Sequence, residues 1–295
     1  MQTYFASNGP ETELLRVAYK VLFLAVESSE HGVVQYSPLR LFNYNENMKP
    51  YKLLSIDETG KASYDHPSEL FVLSGTVIPE KLKAKVDHKM RLLKKHFFND
   101  EELVFHARDM ARKKGPFSIL NNVMKEVQFW SQFISLVNNP EISFFFVVTN
   151  KLNAKKASWQ LQTILRRSYL KILADFTRHL KTTGYCGRII VESDADQDPY
   201  LIYAHNRMQS EGTGDGSVNG SEYKNMVTSL SLVNKSNLDI DVQLADAMAI
   251  IAGLNYKIIV LNKRQKLSKV EEMKKRLLER KLSDAKNPSL FEVLI

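Results

Sequence analysis

The order of elements in this sequence predicts an α/β fold, a mixed sheet flanked by helices, and three observations carry that expectation. Short apolar runs alternate with segments of helical period along most of the chain. Glu141 to Thr149 is a near-continuous apolar run, as a strand covered on both faces requires. Two earlier runs, Tyr51 to Ile56 and Glu69 to Ile78, are separated by Asp57-Glu58-Thr59-Gly60 and a polar stretch, the pattern of a hairpin with a long loop.

Taken in order, Glu11 to Ser28 places Leu14, Leu15, Val17, Ala18, Val21, Leu22 and Ala25 at helical spacing. This predicts an N-terminal helical extension over residues 1–50, with an irregular connection from His31 to Pro50. The main domain spans 51–256. After the hairpin, Pro79 and Glu80 open a helix to about Phe98, and Leu103 to His106 leads into Ala107-Arg108-Asp109 and a basic loop. Pro116 suits the first position of a helix reaching Val137, which Pro140 closes. A helix from about Ala157 to Lys181 is ended by Gly184. Arg188 to Val191 is the next buried strand, followed by a helix from about Pro199 to Gln209. Glu211 to Ser221, rich in Gly and Ser, reads as a mobile loop. Met226 to Val233 alternates as a strand and Val242 to Ala252 is helical. Residues 257–295 hold a charged amphipathic helix, Lys263 to Lys286, packed on the core or extending from it.

Composition narrows the class of function. Hydrophobic residues at 44% and charged residues at 25% match a soluble globular protein and exclude disorder, collagen and coiled coil. A net charge of +8 gives a positive field that attracts polyanions or acidic membrane surfaces. The lone Cys186 excludes an internal disulfide and a paired-cysteine zinc site, which points to a reducing cytoplasm. The start of the chain lacks the pattern of a secretory signal. Leu244 to Leu261 comes nearest to a membrane span, but Asp246, Asn255 and Lys257 interrupt it, so it reads as a buried helix followed by a strand or turn and no membrane partner is expected. Gly60-Lys61 lacks the glycine and hydroxyl residues of a phosphate-binding loop, and the glycines of 212–220 lack dinucleotide-binding spacing.

Acids in apolar company are the informative feature. Asp57 follows Leu53, Leu54 and Ile56, and Glu192 follows Ile189, Ile190 and Val191, each at the end of an apolar strand. Asp246 sits among Leu244, Met248, Ile250 and Ile251 on a helix. Burying an acid is costly unless it is paired or binds a cation. Two strand-end acids facing a third on a covering helix can hold hard divalent cations through oxygen, and two such ions can stabilise both oxygens exchanged in phosphodiester cleavage.

Five blocks carry a resemblance. Ser55-Ile-Asp-Glu-Thr-Gly60, Leu73-Ser-Gly-Thr-Val-Ile78, Phe105-His-Ala-Arg-Asp109 with Gly115-Pro-Phe117, Ile189-Ile-Val-Glu-Ser193 and Val242-Gln-Leu-Ala-Asp-Ala-Met-Ala249 resemble, in order and spacing, the successive motifs of the domain of unknown function 3800 family, over about Lys52 to Gly253. The resemblance implies a ribonuclease H-like fold, an acid pattern similar to RuvC-type resolvases and a Mg²⁺- or Mn²⁺-dependent nuclease. It implies Asp57, Glu192 and Asp246 as metal ligands and catalytic residues, with Glu58, His106 and Asp109 as secondary candidates. A long helix after the hairpin departs from the simple ribonuclease H meander. Glu192 reaches Asp57 only if their strands are neighbours; otherwise Asp109 is the better third ligand.

Positive charge is concentrated between Lys151 and Lys181, where Asp175 is the lone acid, and Lys155, Lys156, Arg166 and Arg167 are the candidate nucleic-acid contacts. The basic C-terminal helix reads as a solvated face. Two functions follow from these observations: a metal-dependent nuclease acting on DNA or RNA, or a catalytically silent module that binds nucleic acid or a protein partner within a larger assembly, such as one for defence.

Overall fold

The computed structural model describes residues 49–234, 239–259 and 266–295, which belong to one compact unit, Lys49–Ile295. The expected helix at Glu11 to Ser28 lies outside the described residues.

A six-stranded mixed sheet flanked by helices organises this unit. Strands β1 (Tyr51–Thr59) and β2 (Leu70–Pro79) form the expected hairpin, and β3 (Ser143–Asn150) pairs antiparallel to β2. On the other side of β1 lies β4 (Cys186–Glu192), parallel to it, and then β5 (Val227–Val233), parallel to β4. The C-terminal β6 (Leu290–Val293) adds to β3 in parallel, giving the order β5-β4-β1-β2-β3-β6. Every strand except β2 therefore runs the same way, and the carboxyl ends of β1, β3, β4 and β5 share one edge.

Helices cover both faces. On one lie α1 (Glu80–Phe98), α2 (Ala107–Arg112), α3 (Val123–Val137), α8 (Ile240–Ile259) and α9 (Lys269–Leu282), packed with Val72, Phe144, Phe146 and Val148. On the other lie α5 (Leu161–Thr183), α6 (Asp198–Glu211) and α7 (Gly220–Met226), packed with Leu54, Ile56, Leu73, Phe145 and Val147. The short α4 (Lys151–Lys156) leads from β3 to α5. Phe144, Phe145 and Phe146 are fully buried because β3 has a helix layer on each side, and each ring contributes about 2 kcal/mol by leaving water.

Local chemistry redraws several expected elements. The helix expected from Pro116 to Val137 is two pieces: a 3-10 turn, Gly115–Asn121, and α3, whose start is fixed by the Asn122 side chain accepting from the N–H groups of Met124 and Lys125. Ala107–Arg112 is helical rather than a loop. The helix expected from Ala157 begins at Leu161, after the separate α4 capped by Asn150. It ends at Gly184, whose φ of 75° suits a residue without Cβ. In the Gly- and Ser-rich stretch, Thr213 and Val218 hydrogen-bond across a turn and the capping box of Asn219 and Glu222 starts α7. Helix α8 runs on to Ile259, past the end expected at Ala252. It is the one described helix long and apolar enough to cross a membrane, and 67% of that stretch is buried in the fold.

Candidate active site

Register decides where the acids point. Ile56 pairs with Val191 across β1 and β4, and both pack in the layer of α5 and α6. Side chains alternate along a strand, so the next residues, Asp57 and Glu192, both face the opposite layer, the side of α8. Asp246 on α8 meets them there. The three half-buried acids line one cavity of about 20 Å³ together with His106, Asn234, Asp239 and Gln243. That volume holds roughly one water-sized occupant.

The cavity wall is held by polar contacts. Asp57 Oδ1 accepts the Glu58 N–H at 2.7 Å, and Asp246 Oδ2 accepts the N–H of Ala107, at the start of α2, at 2.9 Å. Gln243 Oε1 accepts from the Phe105 N–H at 3.0 Å and from Lys94 Nζ at 2.9 Å, which binds the segment before His106 to α8. Burial lowers the Lys94 ammonium to about 8. At the mouth of α8, Lys83 Nζ lies 2.5 Å from Asp239 and 3.2 Å from Asp241. Burial pulls Lys83 down, but these two carboxylates outweigh it and hold the ammonium above its usual value. Burial pushes Asp241 up to about 6 against the pull of Lys83.

The secondary candidates separate. His106 lines the cavity; Asp109, one turn further along α2, is not among the lining residues. Since β1 and β4 are neighbours, the geometric condition that would have favoured Asp109 over Glu192 does not arise. Glu58 faces the other layer, where Gln197 Nε2 donates to its Oε1 at 2.6 Å and Tyr169 Oη donates to Gln197 Oε1 at 3.2 Å. Burial, and after it the charges of Glu58 and Asp57, hold the Tyr169 phenol well above its usual value, so it remains a donor. Asn234, Asp239 and Gln243 were missed as cavity residues. Gln243 belongs to the Val242–Ala249 block, whereas an acid ahead of a helix, like Asp239, carries the same signature as an ordinary N-terminal acid.

The basic stretch also divides. Lys151 is buried and donates to the carbonyls of Ser63 and His66, while Lys171, Arg178 and Lys181 are ion-paired to Asp175, Glu292, Asp215 and Glu222. Besides Asp175, the lone acid of this stretch in sequence, tertiary contacts bring Glu292, Asp215 and Glu222 to its later cations. Lys155, Lys156, Arg166 and Arg167 are exposed near the carboxyl edge.

The donor set suits a hard cation, being carboxylate and amide oxygen. Among the described residues, however, no three His, Cys, Asp or Glu side chains are grouped as ligands of one metal ion. No family model matches the chain, nor does any curated protein or solved structure at significant similarity.

Proposed function

We propose that this chain is a Mg²⁺- or Mn²⁺-dependent nuclease with a ribonuclease H-like arrangement, related to the domain of unknown function 3800 family and working in the cytoplasm. One observation carries the reading: Asp57, Glu192 and Asp246, far apart in sequence, line a single cavity at the carboxyl ends of adjacent parallel strands. The antiparallel β1-β2-β3 meander with β4 beside β1 supports the fold assignment.

Asp57, Glu192 and Asp246 would hold the ion or ions. Mg²⁺ binds through one or two carboxylates and keeps several waters, so a loose acid cluster fits it better than it fits a cation that needs a full protein cage. When bound, the ion supplies Lewis-acid stabilisation of phosphoryl charge and makes water a stronger nucleophile at neutral pH. The chain supplies the rest. Ala107 fixes the orientation of Asp246, the Glu58 N–H fixes Asp57, and the exposed cations near the edge attract phosphates.

A second reading, a silent module binding nucleic acid or a protein within a larger assembly, is favoured by the lack of a ready metal group among the described residues. Incubating wild type and Asp57→Asn with single- and double-stranded DNA and RNA, in Mg²⁺, Mn²⁺ or EDTA, separates the two. Metal-dependent cutting by wild type alone is expected; equal binding with no cutting by either protein selects the second reading.

A further inference from the structure

We propose that the carboxyl edge of the sheet carries a platform for single-stranded nucleic acid, formed by Arg166 and Arg167 with the rings of Trp159, Tyr200 and Tyr203. This rests on the nuclease reading for its chemistry and deepens it by naming an unpaired strand as the substrate class.

The cations of α5 are of two kinds. Those of its later turns are ion-paired. Arg166 and Arg167, in its first two turns, contact no carboxylate among the described residues and lie over aromatic rings instead. Arg167 Cζ is 4.3 Å from the centre of the Trp159 ring, and Arg166 Cζ is 4.9 Å from that of Tyr203 and 6.0 Å from that of Tyr200. An arginine so placed keeps its full positive charge and presents a flat guanidinium, on which an unstacked base can lie. Tyr203 is 41% exposed although it is a large ring.

Position ties the platform to the acids. Helix α5 follows β3 and helix α6 follows β4, so both begin at the edge where Asp57 and Glu192 end their strands. Gln197, which precedes α6, donates to Glu58, the neighbour of Asp57 on β1, and helps line a second cavity of about 270 Å³ with Lys61, Leu161, Leu165 and Tyr200. Asp194 and Asp196 also line it, which disfavours a phosphate and suits the donor groups of a base. The first turn of α5 contains no acid, so its positive helix end adds to the field of the two arginines.

The choice of an unpaired strand follows from the rings. Lysine or arginine on phosphates serves a duplex as well as a single strand, but a duplex hides its base faces in its own stack. Stacking surfaces are useful only to bases that are free.

The test is fluorescence anisotropy in EDTA with labelled oligo-dT, oligo-U and a mixed-sequence duplex, for wild type, Tyr203→Ala, Tyr203→Phe and Arg166→Lys. Tyr203→Ala is expected to weaken single-strand binding about five-fold or more and to leave duplex binding nearly unchanged. Tyr203→Phe should restore it, and Arg166→Lys, which keeps the charge but not the flat surface, should lose part of it. The oligo-dT and oligo-U arms assign DNA or RNA. Equal losses on duplex and single strand, or no loss in a Tyr203→Ala Arg166→Lys protein that melts like wild type, would overturn the platform. Parallel cleavage assays in Mg²⁺ and Mn²⁺ keep the readings apart: ring-dependent binding without cleavage rejects the nuclease alone, and cleavage of single strands with unchanged KM in Tyr203→Ala rejects the platform alone.

Discussion

Ala107 donates its backbone N–H to Asp246 Oδ2 at 2.9 Å, joining the first turn of α2 to the middle of α8 across 139 positions of sequence. The first N–H groups of a helix have no partner within it, and a carboxylate there also meets the positive end of the helix. Asp246 is thus both a wall of the acid cavity and the anchor that holds the His106 segment against it.

The two roles of Asp246 are separable by substitution. Asp246→Asn keeps an oxygen acceptor for Ala107 and is expected to lose nuclease activity with little loss of stability. Asp246→Ala should lose activity and also about 1–3 kcal/mol of stability, because it strands a partly buried N–H. Urea unfolding beside a cleavage assay measures both; equal stability of the two variants would remove the anchoring role.

The facing of β1 predicts a contrast between adjacent acids. Asp57→Asn and Glu192→Gln should each reduce metal-dependent cleavage by about 100-fold or more, whereas Glu58→Gln, on the other layer, should leave it little changed. Cleavage rates of the three purified variants decide this. Loss of activity in Glu58→Gln equal to that in Asp57→Asn would count against the assignment by register.

A buried pair at the far end of β1 predicts a pH dependence. Lys52 Nζ lies 2.6 Å from His179 Nε2, and an ammonium has only donors, so charged Lys52 requires neutral His179 as acceptor. Burial, reinforced by Lys52, lowers His179 from 6.5 to about 4. The folded state then binds fewer protons than the unfolded chain between these values. This contribution to stability is full above about pH 6.5 and is lost as the pH falls towards 4. Denaturant unfolding of wild type and His179→Gln over that range should show their difference in stability shrinking with acidity; a flat difference would contradict the burial of a neutral imidazole.

Close packing behind β4 gives a fourth expectation. A Cβ on Gly187 would lie 2.5 Å from Leu180 Cδ1 and 2.6 Å from Phe176 Cε1, so α5 rests directly on the strand that ends in Glu192. Gly187→Ala should destabilise the fold by about 1–3 kcal/mol, read as a lower denaturant midpoint with unchanged slope.

Periodicity and punctuation carried much of the local structure. The hairpin, the buried β3, the helix Glu80–Phe98 and the stop at Gly184 follow from apolar runs, Pro79 and a glycine suited to positive φ, all local signals. Breaks set by side-chain caps at Asn122 and Asn150 were less legible, because an asparagine inside a helical pattern shows its capping role only once the chain turns there. The short β6 is too brief to announce itself and exists because β3 offers it an edge.

By itself, then, the sequence determined the α/β class and the odd company of Asp57, Glu192 and Asp246, since an acid after an apolar run is visible without coordinates. Only the tertiary structure decided that β4 lies beside β1, that Asp57 faces α8 while Glu58 turns away, and that Asp239 and Gln243 join the cavity. It also decided which cations are paired, leaving Arg166 and Arg167 on rings rather than acids. The reason is physical: periodicity is a property of neighbours along the chain, whereas strand order, facing and ion pairing depend on groups more than a hundred residues apart meeting through the packing of two helix layers on one sheet.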